Sequence, residues 1–192
     1  MDWSWLKKVL KFILMVIMVV IVYGMLKRKH VLYYCKPSNI DVGFKESVRN
    51  ILSGSKWKKY RSYSEVDNEA DADIVINLAT REELDKYHTK AKYRPNGKRL
   101  RFSITTYSES EKSRCHIDAE NWMHGVEESG LTLMEYRKYI INHEFGHGLG
   151  YDHQECRKGS GRCPVMYQST RGAPEGAQCG FEVTPIDITR LL

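Results

Sequence analysis

The segment from residue 143 to residue 153, HEFGHGLGYDH, contains three histidines and one glutamate within eleven positions. Side chains four residues apart lie on one face of a helix, so the imidazoles of His143 and His147 would point to the same place. Gly150 can end the helix in a left-handed conformation, and the reversed chain would bring back His153 as a third ligand. Three neutral imidazoles can hold Zn²⁺ and leave a fourth position for water, which is typical of a catalytic zinc site.

Glu144 follows the first histidine and can reach a zinc-bound water without being a ligand. In that mechanism Zn²⁺ lowers the pKa of its water and polarises a scissile carbonyl, and Glu144 moves the proton from the water to the leaving amine. Chance would place these five residues at these offsets on the order of once in ten thousand chains or less. The motif therefore predicts a zinc-dependent endopeptidase. The alternative is a catalytically silent zinc-binding protein that serves as a binding or structural module, and the intact Glu144 favours the enzyme.

The same eleven residues resemble the H-E-x-x-H-x-x-G-x-x-H signature of the metzincin metallopeptidases. Enzymes of that family carry a methionine in a tight turn under the zinc, and the resemblance implies this place for Met166 in the segment CPVM. Many of them have a tyrosine two residues after the methionine. Here Tyr167 stands one residue after it and Gln168 two residues after it, so both are candidate contacts to the substrate or the transition state.

The chain looks most similar to a poorly characterised bacterial group of secreted or membrane-tethered metzincin-like domains, through residues 136–150 and 164–170. The resemblance implies an α+β fold with a small, mixed, twisted sheet, an active-site helix and a loop-rich C-terminal subdomain. It also implies a disulfide between Cys156 and Cys179, and Cys163 could pair with Cys115. Cys35 could supply a thiolate to the open zinc position, but its neighbours match no cysteine-switch motif, which favours a disulfide or a buried thiol.

The elements that would position the motif follow from capping patterns and periodicity. Thr132 and Glu135 form a capping-box pattern for a helix that would carry the motif to Gly150, and Thr80 with Glu83 forms another for a short helix. Further predictions are strands over Val31–Tyr34 and Ala72–Leu78 and a helix over Ser38–Leu52. Leu100–Thr105 and Cys115–Ala119 are candidate edge strands for an extended peptide, and the loop Ser169–Gln178 would form the selectivity pocket.

The N-terminal segment differs in composition from the rest of the chain. Residues 9–26 are apolar except for Lys11, long enough for a helix across a bilayer, and flanked by basic side chains. A cleaved signal peptide and a buried core helix are the alternatives. We therefore expect a transmembrane anchor in residues 1–30, with a lipid bilayer as its partner, and a zinc peptidase domain in residues 31–192. All five cysteines follow the anchor, which favours a cytoplasmic N-terminus and an extracellular, lumenal or periplasmic catalytic domain.

The distribution of charge argues against a nucleic-acid partner. The net charge is +6, but residues 1–29 carry six basic side chains and one acidic one, which leaves 24 basic and 23 acidic groups in residues 30–192. A nearly neutral domain has no basic surface to follow phosphates. The predicted partner is a peptide or protein substrate, and the sequence does not indicate an oligomeric state.

Overall fold

The computed structural model describes residues 7, 9–18, 30–87, 92–93, 99–100, 102–107 and 112–188 of the 192-residue chain. The chain divides into two compact units, Met1–His30 and Val31–Leu192. The larger unit contains the sheet, the helices packed against it and the histidine motif.

In the N-terminal unit, residues 9–18 are helical and their large apolar side chains are exposed, as at Leu10 and Phe12. No helix among the described residues combines the length and the apolar character needed to cross a membrane. This finding contradicts the predicted transmembrane helix and the single-pass location inferred from it; residues 19–26 of the predicted span lie outside the described residues.

The larger unit is α+β with a mixed five-stranded sheet in the order β2-β1-β3-β7-β6. The first four strands in this order run parallel to one another, and β6 pairs antiparallel with β7 at the edge of the sheet. Two further pairs, β4 with β5 and β8 with β9, have two residues in each strand. The strands are β1 (Val31–Cys35), β2 (Tyr63–Glu65), β3 (Ile74–Ala79), β4 (Lys92–Tyr93), β5 (Arg99–Leu100), β6 (Ile104–Tyr107), β7 (Ser113–Asp118), β8 (Gly161–Arg162) and β9 (Ala177–Gln178).

The longest helix of this unit packs against the sheet and carries the histidine motif. The α-helices are α1 (Phe44–Ser53), α2 (Arg81–Asp85), α3 (Ala119–His124) and α4 (Leu133–Gly148). Helix α4 lies against β7, β6, α1 and α3, and it buries Tyr136, Ile140 and Phe145 in the core. The predicted capping box is confirmed, because Thr132 caps the helix and the Glu135 side chain accepts a hydrogen bond from the Thr132 amide at 3.0 Å. The Thr80 box at α2 is confirmed as well.

Two predicted elements differ most from the structure, whereas the strands predicted over Val31–Tyr34 and Ala72–Leu78 are found with slightly shifted bounds as β1 and β3. The helix expected over Ser38–Leu52 begins only at Phe44, because the Ser38 and Asp41 side chains accept hydrogen bonds from nearby amides and form turns instead. The strand expected over Leu100–Thr105 is replaced by β5 and by β6, and residue 101 between them lies outside the described residues.

The predicted disulfides are wrong. Cys156 is bonded to Cys163, whose Cα lies 5.1 Å away and only seven positions along the chain. Cys115 lies in the interior strand β7, where its thiol donates to the carbonyl of Glu144 at 3.3 Å, so it is not a partner for Cys163. Cys35 and Cys179 are buried free thiols. The alternative of a buried thiol at Cys35 is therefore the one observed.

Candidate metal centre

Helix α4 positions the first two histidines of the motif one turn apart on the same face. His143 is 4% exposed and lies in the part of the helix that is covered on all sides, whereas His147 is half-buried in its last turn. Packing requires a glycine at position 146, between the two histidines, since a Cβ there would lie 2.5 Å from the Met166 sulfur and 2.7 Å from the Trp57 ring. The helix can approach these side chains closely because position 146 has no side chain.

The chain reverses directly after α4 and returns the third histidine. Leu149 caps the helix, Gly150 adopts a φ of +86°, and the Tyr151 amide donates to the Gly146 carbonyl at 3.0 Å. This turn brings His153 beside His147, and the three imidazoles offer nitrogen atoms that all lie within 4.8 Å of one another. The histidine cluster could therefore hold a metal ion.

The geometry of the rings shows which nitrogen each imidazole offers. Nδ1 of His143 lies 2.8 Å from the carbonyl of Val165, and Nδ1 of His147 lies 2.8 Å from that of Tyr151. A ring can contact a carbonyl in this way only by donating, so both protons are on Nδ1 and both Nε2 atoms carry lone pairs. Nε2 of His147 is 3.2 Å from Nε2 of His143 and 3.2 Å from Nε2 of His153.

This arrangement fits a small cation. Nitrogens bound tetrahedrally to Zn²⁺ at about 2.0–2.1 Å lie about 3.3 Å apart, close to the two separations observed. Burial is the main reason why the pKa of all three imidazoles is lowered, to about 4 for His153. The low pKa values favour the neutral form, which is the form that binds metals.

A tight turn supports the cluster from below. The Tyr167 amide donates to the Pro164 carbonyl at 3.1 Å, which closes a β-turn with Met166 at its third position. Met166 is fully buried against α4, and the amide of Met166 donates to the Asp187 carboxylate at 2.7 Å. We name residues 164–167 the Met166 turn. Because Val165 in this turn accepts the hydrogen bond from His143, the turn supports the first candidate ligand.

The Glu144 side chain is 3% exposed and contacts the sheet. Its Oε2 accepts a hydrogen bond from the Thr105 hydroxyl on β6 at 2.8 Å. Burial raises the pKa of Glu144 to about 7, and the Thr105 hydroxyl opposes this shift. Among the described residues no hydrogen bond engages Oε1, so that oxygen is available to a ligand in the cleft.

These side chains line a cleft of about 410 Å³ between β6 and the segment after α4. Its lining residues are Phe102, Ser103, Ile104, Thr105, Tyr107, Tyr139, Ile140, His143, Glu144, His147, Asp152, His153, Gln168, Thr170 and Arg171. We call Thr105, His143, Glu144 and His147 the floor of the cleft, and Tyr107, Asp152 and Arg171 its rim. Of the two strands predicted to hold a peptide, β6 is at the edge and lines the cleft, whereas β7 is interior.

The two residues predicted after Met166 occupy different places. Gln168 lines the cleft. The Tyr167 hydroxyl donates to the Gly172 carbonyl at 3.1 Å, and its side chain faces a smaller depression behind His153. A role for Gln168 in contacting a substrate stays a prediction, and the structure places Tyr167 outside the cleft.

Sequence analysis missed Thr105, Tyr107 and Asp187. The Tyr107 hydroxyl donates to the His147 carbonyl at 2.9 Å, and Asp187 is fully buried under the Met166 turn. Thr105 and Tyr107 alternate along one strand, which indicates a shared face but does not show what that face contacts. Asp187 stands three residues after Thr184, and its side chain accepts a hydrogen bond from the Thr184 amide. This local turn pattern could have been recognised from the sequence.

A family model described as a protein of unknown function, DUF3152, matches residues 38–185. The matched range contains α1 to α4, the histidine cluster and the Met166 turn. No curated protein matches the chain significantly.

Proposed function

The chain belongs to the DUF3152 family of proteins of unknown function, and from this premise we propose that it is a zinc-dependent endopeptidase. The observation that carries the proposal is the convergence of three imidazole nitrogens beside a buried carboxylate. At least two of these nitrogens are acceptors facing one another at 3.2 Å with no donor between them, an arrangement that a cation would stabilise. The resemblance of the motif and the Met166 turn to metzincins supports the same assignment.

His143, His147 and His153 would hold the ion. When bound, Zn²⁺ supplies Lewis acidity, which lowers the pKa of a water and polarises a carbonyl. Three protein ligands leave a position for water, as catalytic zinc sites require. The Nδ1 hydrogen bonds to the Val165 and Tyr151 carbonyls orient two of the rings, so the protein holds the donor set in place before an ion arrives.

Glu144 moves the proton in the proposed reaction. Its Oε1 accepts a proton from the attacking water and delivers it to the amine of the leaving group, while Oε2 stays hydrogen-bonded to the Thr105 hydroxyl. A carboxyl with a pKa near 7 can both accept and release a proton at neutral pH. The free side of β6 can pair with an extended peptide backbone and lay it over the floor of the cleft.

The test combines metal analysis with a digest of a broad peptide library by the full chain. We expect close to one zinc per chain, cleavage that a chelator stops, and loss of cleavage by about 10²-fold to 10⁴-fold in Glu144→Gln with metal content unchanged. Glu82→Gln, which makes the same change on the exposed surface of α2, is the matched control.

The outcomes separate the two functions considered. Cleavage by Glu144→Gln at the wild-type rate would contradict the mechanism. Stoichiometric zinc without cleavage of any peptide would favour the catalytically silent zinc-binding protein.

A further inference from the structure

The rim of the cleft carries a positive charge at the end where β6 begins. Arg171 ends a short 3₁₀ turn, Ser169–Arg171, that follows the Met166 turn, and its side chain lines the cleft. Its guanidinium lies over the ring of Phe102, 5.4 Å from the centroid. Because Phe102 precedes β6 by two residues, this contact places the charge of Arg171 near the start of the edge strand.

The rim also carries a negative charge, at Asp152. Tyr107, the last residue of β6, is tied to the end of α4 by its hydrogen bond to the His147 carbonyl. Asp152 also lines the cleft and is next to the third histidine in the sequence.

Neither charge is paired within the described part of the chain. No described carboxylate lies within 4.0 Å of Arg171, and no described basic side chain lies within 4.0 Å of Asp152. Some other arginines of the domain are paired, for example Arg114 with Glu69 at 2.7 Å. The two rim charges are therefore available to a ligand.

We propose that the cleft prefers peptides with an acidic residue three positions after the scissile bond, where Arg171 receives the carboxylate. This inference rests on the proposed function, since it names the substrate class of the same site. The spacing follows from the chain between Phe102 and Thr105, which are three residues apart, a separation of about 10 Å in an extended conformation. The direction follows from antiparallel pairing, the more stable kind, which would place the carboxyl-terminal side of a peptide at the beginning of β6.

The first experiment compares peptides that differ only at the third position after the cleaved bond, with Glu, Gln or Lys there. For the wild-type chain at low salt we expect kcat/KM to be about threefold to fivefold higher for Glu than for Gln, and lowest for Lys. The difference should shrink in about 0.5 M salt, because exposed charges are screened.

The decisive variant is Arg171→Glu, in which the order of Glu and Lys should reverse. Arg157→Glu makes the same change in net charge at an exposed residue outside the cleft, so the wild-type order should persist. An unchanged order of Glu and Lys in Arg171→Glu would overturn the inference.

A second readout does not depend on turnover. Fluorescent Glu and Lys peptides are titrated into Glu144→Gln protein, with and without zinc, and the dissociation constants are compared with those of the double variant that also carries Arg171→Glu. Tighter binding of the Glu peptide that is lost in the double variant supports the inference even if no peptide is ever cleaved. Cleavage without any charge preference would overturn this inference but not the proposed function. The absence of binding by either peptide would also overturn this inference.

Discussion

The floor and the rim of the cleft are held in different ways. On the floor, His143 and Glu144 are 4% and 3% exposed, and each is hydrogen-bonded to a different segment, the Met166 turn for His143 and β6 for Glu144. On the rim, Tyr107 is 66% exposed, and Arg171 is fixed by a ring contact rather than by an ion pair. The comparison indicates that the proposed base and the first ligand are buried and hydrogen-bonded, whereas substrate preference depends on exposed charges that can change without disturbing the fold.

Removal of the metal should affect the floor most. Chelation is expected to abolish peptide cleavage and to lower the thermal midpoint, because an ion that binds only the folded chain at a hundred times its dissociation constant adds about 2.7 kcal/mol of stability. Readdition of zinc should restore both. The measurement is a thermal melt with and without chelator, and His147→Ala should show no response to either treatment. If chelator leaves the thermal midpoint of the wild-type chain unchanged, the histidines do not bind an ion.

Gly146→Ala tests how tightly the floor is packed. The added Cβ would overlap the Met166 sulfur and the Trp57 ring, so overpacking should cost about 1–3 kcal/mol in the free energy of unfolding, measured by denaturant titration. Gly54→Ala is the control, since its Cβ would meet only carbonyl oxygens at 3.7 Å or more. Equal stability of the two variants would show that α4 can move away from the Met166 turn.

Thr105→Val and Thr105→Ser test how Glu144 is oriented. Valine removes the hydroxyl that donates to Oε2, and we expect kcat to fall about tenfold, a loss of about 1.4 kcal/mol, with KM nearly unchanged. Serine keeps the donor and should restore most of the activity, which a purely packing role for the threonine methyl would not predict. Steady-state kinetics on one peptide distinguish these results.

Asp152→Asn should give the smallest effect, at the rim. An exposed charge contributes about 0.2–1 kcal/mol to a contact, so kcat/KM for charged peptides should change by less than about fivefold, with thermal stability unaltered. The change should vanish at high salt. A loss of stability comparable to that of Gly146→Ala would contradict the distinction between floor and rim.

Local chemistry made part of this architecture predictable. Capping patterns located the starts of α2 and α4, and helical spacing together with one glycine indicated that the three histidines could converge. The supports of the floor were not predictable, because they connect distant parts of the chain: Thr105 and Glu144 are 39 positions apart, and Met166 and Asp187 are 21 apart. Such contacts depend on strand order and on loop paths, which side-chain periodicity does not encode.

The errors have physical causes as well. An apolar run indicates that a segment avoids water, but it does not by itself determine the length of the helix that forms. No helix among the described residues is long and apolar enough to cross a membrane. The family resemblance implied a disulfide between Cys156 and Cys179, which are far apart in the chain. Cys156 instead bonds to Cys163, because the loop between these two residues turns back on itself.

Trp57 gives the molecule an optical property. Its ring is fully buried, stacks on Tyr151 with centroids 4.9 Å apart, and donates its N–H to the Asn142 carbonyl at 2.9 Å. Tyr151 in turn accepts the hydrogen bond from His147, and Asn142 precedes His143 in the chain. Because both neighbours of this indole are joined to a histidine of the cluster, an ion that moves either imidazole should change the fluorescence of Trp57.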